Sequence, residues 1–265
     1  MEIIEKLLQT KRTNEEKANY LREFLQVLLL KTLNSNGYFK NLSFVGGTAL
    51  RLFYDLRRFS EDLDFSLFDK KGYHFERLTK SLFRDLTDYG FQLDITATMS
   101  KTVQSIDLRF KDLLYQLHLS PIKAQKLFIR LEIDTNPPKG WQTQISLINR
   151  TFVFTVTHFD LPSLYALKLH ACFYRKYTKG RDFYDLVWYL SKKISPNYKL
   201  LNNAIKQTEK VYLDVSERSF RNFLEKKIEK VDFQKIKRDV ERFLEDKSEL
   251  AIFDKELVLN LVKET

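Results

Sequence analysis

The chain has 265 residues, of which 43% are hydrophobic and 14% aromatic, and a formal net charge of +10 at pH 7. This apolar content can fill one large domain or two modest ones, so a disordered chain is excluded. No apolar run long enough for a membrane span and no secretory signal pattern are found, and Cys172 alone excludes an internal disulfide. We therefore expect a cytoplasmic protein that does not bind a membrane. The positive charge suits a nucleic-acid or nucleotide partner, and equally a generally basic, soluble surface.

Hydrophobic periodicity predicts a mixed α/β region up to about residue 160. Two amino-terminal helices precede the strand LSFVGG, a helix that begins at Thr48 and the strand EDLDFSLF. An amphipathic helix that ends at Gly90 leads into further strands. These are FQLDITATMS, SIDLRFKDLLYQLHL, KLFIRLEIDTN and RTFVFTVTHF.

After Asp160 the pattern becomes helical. LPSLYALKLHACFYRKYTKG, RDFYDLVWYLSKK and most of the remaining chain predict helices, with Pro162 suited to a first turn and Gly180 to a helix end. We therefore predict an α+β (mixed α/β) protein with two domains. Residues 1–160 carry the mixed sheet, and residues 161–265 form a helical bundle.

The pair Gly46-Gly47 stands between a predicted strand and a predicted helix. Such a turn exposes backbone N–H groups at the positive end of a helix, which suits a phosphate group. Glycine permits close approach of the backbone because no side chain intervenes. A tight turn without a ligand is the alternative, and a lone pair of glycines favours it.

Asp62 and Asp64 favour a ligand site over a turn without a ligand. Residues two apart in a strand point to the same face, so both carboxylates project together while Leu63 and Phe65 pack into the core. Close carboxylates repel each other unless a cation lies between them, and Mg²⁺ bound by carboxylates and substrate phosphates meets that need. An exposed acidic face is the alternative for a bare Asp-x-Asp pattern.

GGTAL followed by RFSEDLDF resembles the signature of the AbiEii/AbiGii toxin family of nucleotidyltransferases, which includes MenT-like toxins. These are similar to the DNA polymerase β superfamily, whose pattern is a Gly-Gly or Gly-Ser turn and then Asp-x-Asp on a strand. The similarity continues in RLEIDTNPP and KLHACFYRKYTKGRDFYDL and covers about residues 41–190. It implies a nucleotidyltransferase-fold domain whose active site the helical domain completes.

The resemblance implies a catalytic metal site made of Asp62, Asp64 and a third acid on a neighbouring strand. Glu132 is the expected third ligand because it lies in the middle of its strand. Asp134 borders the turn and is the alternative. Arg130 on the same face is a candidate for neutralising either acid, and a solvent-facing strand edge is the interpretation without a ligand.

A third motif surrounds Lys168. On a helix, Lys168 and Arg175 lie on one side. The resemblance implies that Lys168 grips a triphosphate while Asp182 and Asp185 orient groups around it, with Lys168 and Asp182 among the catalytic residues. In the alternative, Asp182 is an N-cap and Asp185 completes a capping box.

The other predicted nucleotide-binding residues follow from the same motifs. They are Gly46, Gly47, Thr48, Arg58, Ser60 and Arg181. Arg57 and Arg58 are candidates for phosphate contacts or plain loop charges, with the family favouring Arg58. Ser60 is expected to form local hydrogen bonds. Cys172, His158 and His170 are expected to have structural roles.

The resemblance implies transfer of a nucleoside monophosphate from a nucleoside triphosphate (NTP) to an acceptor hydroxyl, with Mg²⁺, or Mn²⁺ instead, at the metal site. Some similar toxins extend the 3′ end of tRNA, so RNA is the expected acceptor and an AbiEi-like antitoxin encoded nearby the expected partner, with direct binding left open. The alternative acceptors are a protein or a small molecule. A non-catalytic RNA- or nucleotide-binding module is the rival outside enzymes, but the retained acids favour an enzyme.

Overall fold

The computed structural model of the protein describes residues 2–264. Seven strands form one mixed sheet, and the remaining regular structure is helical. The strands are β1 (Leu42–Val45), β2 (Leu63–Leu67), β3 (Leu93–Met99), β4 (Val103–Phe110), β5 (Leu127–Asp134), β6 (Thr143–Asn149) and β7 (Val153–Phe159). The α-helices are α1 (Glu2–Gln9), α2 (Asn14–Ser35), α3 (Gly46–Tyr54), α4 (Phe75–Asp88), α5 (Leu113–Gln116), α6 (Leu161–Tyr174), α7 (Gly180–Ser191), α8 (Tyr198–Glu209), α9 (Glu217–Ile228), α10 (Phe233–Val240) and α11 (Lys255–Lys263).

The chain divides into two compact units. The first unit comprises the chain up to Phe53, Phe59–Pro137 and Ile145–His158. The second unit comprises Tyr54–Arg58, Pro138–Gln144 and the chain from Phe159 onward. Nearly all of the sheet therefore belongs to the first unit, and the second unit is mostly helical.

The sheet has the strand order β3-β4-β5-β2-β1-β7-β6 and mixes both pairing directions. β1 pairs antiparallel with β2 and parallel with β7, whereas β2 pairs parallel with β5. β5 then continues antiparallel into β4 and β3. The prediction of a mixed α/β fold is confirmed.

The central strands alternate as their sequences predict. In β2, Leu63 and Phe65 are buried, and in β5, Leu131 and Ile133 are fully buried. The residues between them are polar and half-buried, so each central strand turns one apolar and one polar side to opposite faces of the sheet.

Two local predictions were wrong, and one strand was missed. α3 begins at Gly46 and not at Thr48. The predicted strand SIDLRFKDLLYQLHL ends at Phe110, because Asp112 turns the backbone with φ 55° and a short helix follows. β6 was not predicted; its apolar residues Ile145 and Leu147 are exposed, and Ile148 is buried.

Among residues 2–264, no helix combines the length and the apolar character that crossing a membrane requires.

A buried ion network holds α2 against α3 inside the first unit. The Glu23 carboxylate on α2 binds the Arg51 guanidinium on α3, and its other oxygen accepts a hydrogen bond from Arg150 at 2.6 Å. The Glu23 and Arg51 side chains are only 10% and 8% exposed. Because a buried charge is costly without its partner, this network fixes the helix that starts at Gly46.

We expect Glu23→Gln to lower the free energy of unfolding by about 3–5 kcal/mol, because the buried Arg51 guanidinium loses the negative charge of the carboxylate that it binds. Urea unfolding followed by circular dichroism measures this. Glu2→Gln is the matched control, because it breaks an exposed pair with Lys6 and should cost less than about 1 kcal/mol. Equal effects of the two substitutions would contradict a role for the network in holding α3.

Candidate active site

The turn from β1 into α3 packs its backbone directly on Asp64. Gly46 has φ +80°, a conformation that side chains other than glycine rarely adopt. A Cβ atom at Gly46 would overlap the Oδ2 atom of Asp64 and lie 3.1 Å from its Cβ and Cγ atoms. Glycine is therefore required at position 46 for two reasons, the backbone conformation and the lack of space for a side chain.

Thr48 connects the same helix to the second acid. Its Oγ1 atom donates a hydrogen bond of 2.6 Å to the carbonyl oxygen of Asp62, and its side chain is buried. This bond fixes the backbone immediately before β2. Gly47 is buried in the first turn of α3, and Ser60 is tied to α2 through its carbonyl, which accepts from the Gln26 amide at 3.0 Å.

Strand register brings Asp64 and Glu132 side by side. The two residues are direct partners across the parallel β2–β5 pair, so their side chains share one face of the sheet. Asp62 precedes β2 by one residue, and its side chain is half-buried like that of Asp64.

Asp134 lies farther along β5, opposite Ser66. Its carboxylate accepts a hydrogen bond of 2.8 Å from the Asn136 N–H group at the turn. Burial raises the pKa of Asp134 above its ordinary value, and this hydrogen bond only partly opposes the rise. The register therefore supports Glu132, rather than Asp134, as the acid that acts with Asp64.

Arg130 pairs mainly with Asp107, which is not one of the predicted metal-binding acids. Its guanidinium binds Asp107 with two hydrogen bonds of 2.7 and 3.1 Å, whereas its closest approach to Glu132 is 3.9 Å. The hydrogen bond to Asp107 is the largest cause that raises the pKa of Arg130. Glu132 therefore keeps 42% of its side chain exposed.

The donor set suits a hard divalent cation. Asp62, Asp64 and Glu132 offer only carboxylate oxygens, the ligands that Mg²⁺ and Mn²⁺ prefer, and neither histidine nor cysteine accompanies them. Within the described residues, no group of three or more acid, histidine or cysteine side chains is placed to hold a metal ion by itself. The chemistry of the carboxylates nevertheless fits an ion that takes much of its coordination from substrate phosphates and water, as Mg²⁺ usually does.

A separate buried charge network lies in the second unit. The Lys168 ammonium on α6 contacts Asp182 and Asp185 of α7, each at 2.7 Å. Arg58 binds both oxygens of Asp185 at 2.6 Å, and Arg175 contacts Asp182 at 2.9 Å. Apart from Arg175, these side chains are at most 9% exposed. Two carboxylates and three cations therefore tie α6, α7 and the Tyr54–Arg58 segment together.

Each charged group in this network stabilises the charged form of its partners. Burial lowers the pKa of Lys168, but Asp182 and Asp185 outweigh it and leave the pKa above its ordinary value. Burial likewise raises the pKa of Asp182, but Lys168 and Arg175 bring it below the ordinary value. For Arg58, burial lowers the pKa, but Asp185 outweighs burial and leaves the pKa above its ordinary value. Lys168, Asp182 and Arg58 are therefore charged at neutral pH despite their burial.

Two predictions about this region were wrong. Gly180 begins α7 and does not end a helix, and its N–H group donates a hydrogen bond of 2.5 Å to the Asp239 carboxylate. Asp182 lies in the first turn behind the N-cap Lys179, so it is not the N-cap of a capping box. Asp239 was not predicted from the sequence, because its contact with Gly180 joins residues far apart in the chain and has no local signal.

The arginines of the motifs occupy different environments. Arg58 is 2% exposed and paired with Asp185, so a plain loop charge is the wrong description of it. Arg57 is exposed and approaches Glu249 at 3.5 Å. The Arg181 guanidinium lies 4.3 Å from the centre of the Phe243 ring.

The remaining candidates have structural environments. His158 is buried, with its Nε2 atom 2.8 Å from the Ser146 hydroxyl, and the Nε2 atom of His170 is 2.9 Å from Thr208. Burial raises the pKa of the Cys172 thiol, which keeps it protonated. These three residues therefore act as packing and hydrogen-bonding groups.

The predicted site residues thus form two sets. The first unit contains Gly46, Gly47, Thr48, Ser60, Asp62, Asp64 and Glu132. The second unit contains Arg58, Lys168, Arg181, Asp182 and Asp185.

The glycine turn packed on Asp64, with Glu132 in register beside it, agrees with the motifs from which a nucleotidyltransferase is predicted. A model of the AbiEii family of nucleotidyl transferase toxins, from type IV toxin–antitoxin systems, matches residues 28–255, and the chain belongs to this family. The protein is therefore a nucleotidyltransferase, as the sequence motifs predict. Comparison with curated proteins gave no match.

Two solved structures share the fold. JHP933 from Helicobacter pylori is 20% identical, with 93% of this chain and 92% of that chain covered and a TM-score of 0.56. A candidate nucleotidyltransferase from H. pylori is 21% identical, with 92% of this chain and 95% of that chain covered and a TM-score of 0.53. At this identity the likeness establishes the fold alone.

We expect Gly46→Ala to lower the nucleotide-transfer rate about 100-fold, because the added Cβ atom displaces the Asp64 carboxylate and small misplacements of reacting groups are costly. Single-turnover kinetics at saturating nucleotide measures this. Gly72→Ala is the control, since Gly72 has φ +70° but open space around it, so it carries backbone strain without a clash. A Gly46→Ala enzyme as active as Gly72→Ala would contradict the close packing.

We expect Asp185→Asn to lower the free energy of unfolding of the second unit by about 3–5 kcal/mol, because Lys168 and Arg58 both lose a buried counter-charge. Both tryptophans, Trp141 and Trp188, lie in this unit, so their fluorescence in urea reports on it. Glu225→Gln is the control, because its partner Arg221 is half-exposed. Similar losses in the two variants would contradict the structural role of the network.

The same measurement should show a pH dependence. Asp182 has a folded pKa below its unfolded one, so its contribution is fully present above about pH 4 and is lost as the pH falls through the folded value. We expect the parent protein to lose stability below about pH 4 more steeply than Asp182→Asn does. Parallel acid dependences of the two proteins would contradict the lowered pKa.

Proposed function

We propose that this enzyme transfers a nucleoside monophosphate from an NTP to the 3′-hydroxyl of an RNA, with tRNA as the acceptor, in a reaction that depends on Mg²⁺ or Mn²⁺. The observation that carries the proposal is the pairing of Asp64 with Glu132 in register, against a backbone turn where only glycine fits. Such a concentration of carboxylates is stable when a cation offsets their repulsion.

Asp62, Asp64 and Glu132 are the residues that would hold the ions. When bound, a metal ion there lowers the pKa of an attacking hydroxyl and neutralises charge on the phosphates. The chain's own contribution is positioning. Thr48 holds the backbone of Asp62, the Gly46 turn holds Asp64, and the amino terminus of α3 would offer its backbone N–H groups to a phosphate.

No histidine base is required in this scheme. Phosphoryl transfer depends mainly on alignment and charge neutralisation, which carboxylates and metal ions provide. The environments of His158 and His170 agree with this, because the Nε2 atom of each lies within hydrogen-bonding distance of a hydroxyl group.

Lys168, Asp182, Asp185 and Arg58 belong to the proposal chiefly as positioning residues. The Lys168 ammonium already contacts two carboxylates and is buried, so a phosphate contact would require it to exchange partners. We therefore expect Lys168→Met to reduce the stability of the second unit, with any loss of nucleotide affinity following from that.

RNA is the proposed acceptor because the chain carries a net charge of +10. Basic proteins gain affinity for nucleic acid through counterion release, whichever sequence they bind. The toxin–antitoxin family implies an antitoxin partner, and we propose that an AbiEi-like protein encoded nearby has this role in the cytoplasm.

The test incubates purified protein with Mg²⁺, each α-³²P-labelled NTP in turn, and total tRNA, and separates the products on a denaturing gel. We expect label on tRNA with the parent protein and at least a 100-fold loss with Asp64→Asn, because the metal loses a ligand. Label on protein instead would move the acceptor to a polypeptide. No label on any acceptor in the presence of Mg²⁺ or Mn²⁺ would overturn the proposal.

A matched pair of variants tests the third ligand. We expect Glu132→Gln to lower the transfer rate at least 100-fold and Asp134→Asn to lower it less than about tenfold, because only Glu132 is the register partner of Asp64. The reverse order of effects would assign the metal to Asp134. Raising the Mn²⁺ concentration should partly rescue the variant that has lost a true ligand.

A further inference from the structure

The polar face that carries Asp64 and Glu132 continues across β5, β4 and β3. On β5, Phe128, Arg130 and Glu132 alternate with fully or nearly buried residues and therefore share this face. Cross-strand register adds Arg109 opposite Phe128, and Asp107 opposite Arg130. We call Phe128, Arg109, Arg130 and Asp107 the aromatic–arginine face.

The Phe128 ring stands outside the core. Its neighbours Leu127 and Ile129 are 2% and 0% exposed, whereas Phe128 is 36% exposed. The guanidinium carbons of Arg109 and Arg130 lie 5.5 and 5.6 Å from the ring centre. A partly exposed aromatic ring close to two cations is a surface on which a nucleobase can stack while the neighbouring phosphates contact positive charge.

Asp107 holds the two arginines in this arrangement. Arg130 binds it with two hydrogen bonds, and Arg109 donates to it at 2.9 Å and to the Thr96 hydroxyl at 3.0 Å. The Asp107 side chain is 14% exposed, but those of Arg109 and Arg130 are 36% and 43% exposed. The guanidinium groups are thus oriented in advance and still reachable from solvent.

We propose that the aromatic–arginine face binds the single-stranded 3′ end of the RNA acceptor, with a base on Phe128 and the backbone phosphates on Arg109 and Arg130. The inference rests on the proposed function in taking RNA as the acceptor. Phe128 and Glu132 are four residue steps of about 3.3 Å apart on β5, so the Phe128 position lies about 13 Å from the Glu132 position, within reach of a strand whose end reacts there. A sheet surface with exposed aromatic side chains is a known way for proteins to bind single-stranded RNA.

The test measures binding of a fluorescently labelled single-stranded RNA oligonucleotide to the whole protein by anisotropy, without nucleotide or metal. We expect Phe128→Leu to raise the Kd about 5- to 150-fold, because a stacked base contributes about 1–3 kcal/mol. Phe128→Tyr keeps the ring and should bind within about twofold of the parent. Phe83→Leu, on α4, is the matched control, because Phe83 is equally aromatic and 47% exposed.

The arginines are tested by salt dependence. We expect Arg109→Gln to weaken binding and to reduce the slope of log Kd against log salt by about 0.7, the value for one phosphate contact on a single strand. Thermal unfolding of each variant confirms that the sheet is intact. An unchanged salt slope in Arg109→Gln would remove the phosphate contact from the inference.

The outcomes separate this inference from the proposed function. If Phe128→Leu binds RNA like Phe83→Leu, the inference is overturned, whatever the labelling assay shows. If the parent labels tRNA and Phe128→Leu keeps the parental KM for tRNA, the proposed function stands and the inference again fails. If RNA binding depends on Phe128 but no RNA is labelled, the inference stands and the proposed function fails.

Discussion

The approach of the Gly46 backbone to the Asp64 carboxylate is the contact on which the arrangement of the first unit depends. The contact requires φ +80° and the absence of a side chain at Gly46. The strand-to-helix turn and the Asp-x-Asp segment therefore meet at this residue. Thr48 adds a second link to Asp62, and the Glu23–Arg51 ion pair anchors the far side of α3. Asp62 and Asp64 are thereby each held by a contact with the first turn of α3.

The mixed strand pairing of the sheet places these residues next to one another. β2 is antiparallel to β1, which brings Val45, the residue before Gly46, opposite Asp64. The same strand is parallel to β5, which brings Glu132 to the other side of Asp64. Because the side chains of register partners share a face, one strand thus places its acid between a glycine turn and a second acid. The same register extends the polar face to the aromatic–arginine face.

In the second unit, the main physical constraint is the burial of charged side chains. Its charged groups are buried, so each would be unstable alone, and they persist because every cation contacts a carboxylate at 2.9 Å or less. Lys168, Asp182 and Asp185 lie in the family's motif, yet their contacts are with one another and with Arg58 and Arg175. Motif position by itself therefore does not distinguish a residue that touches substrate from one that holds helices together.

The sequence by itself determined the features that depend on local periodicity and on single residues. Alternation in EDLDFSLF and KLFIRLEIDTN predicted the strands, and Gly46-Gly47 predicted the turn, because each pattern is complete within a few residues. The mixed α/β class and the nucleotidyltransferase family followed from these motifs in order. Single-residue assignments at helix ends were less secure, as Gly180 and Asp182 show.

Only the tertiary structure decided which of these residues meet. Periodicity assigns Glu132 and Asp134 to one face but cannot say which of them pairs with Asp64, because register depends on contacts between strands distant in the chain. For the same reason, the burial of Arg58 on Asp185 and the cap that Asp239 gives to Gly180 had no local signal. The sequence thus specified the chemical groups, and long-range packing specified their partners.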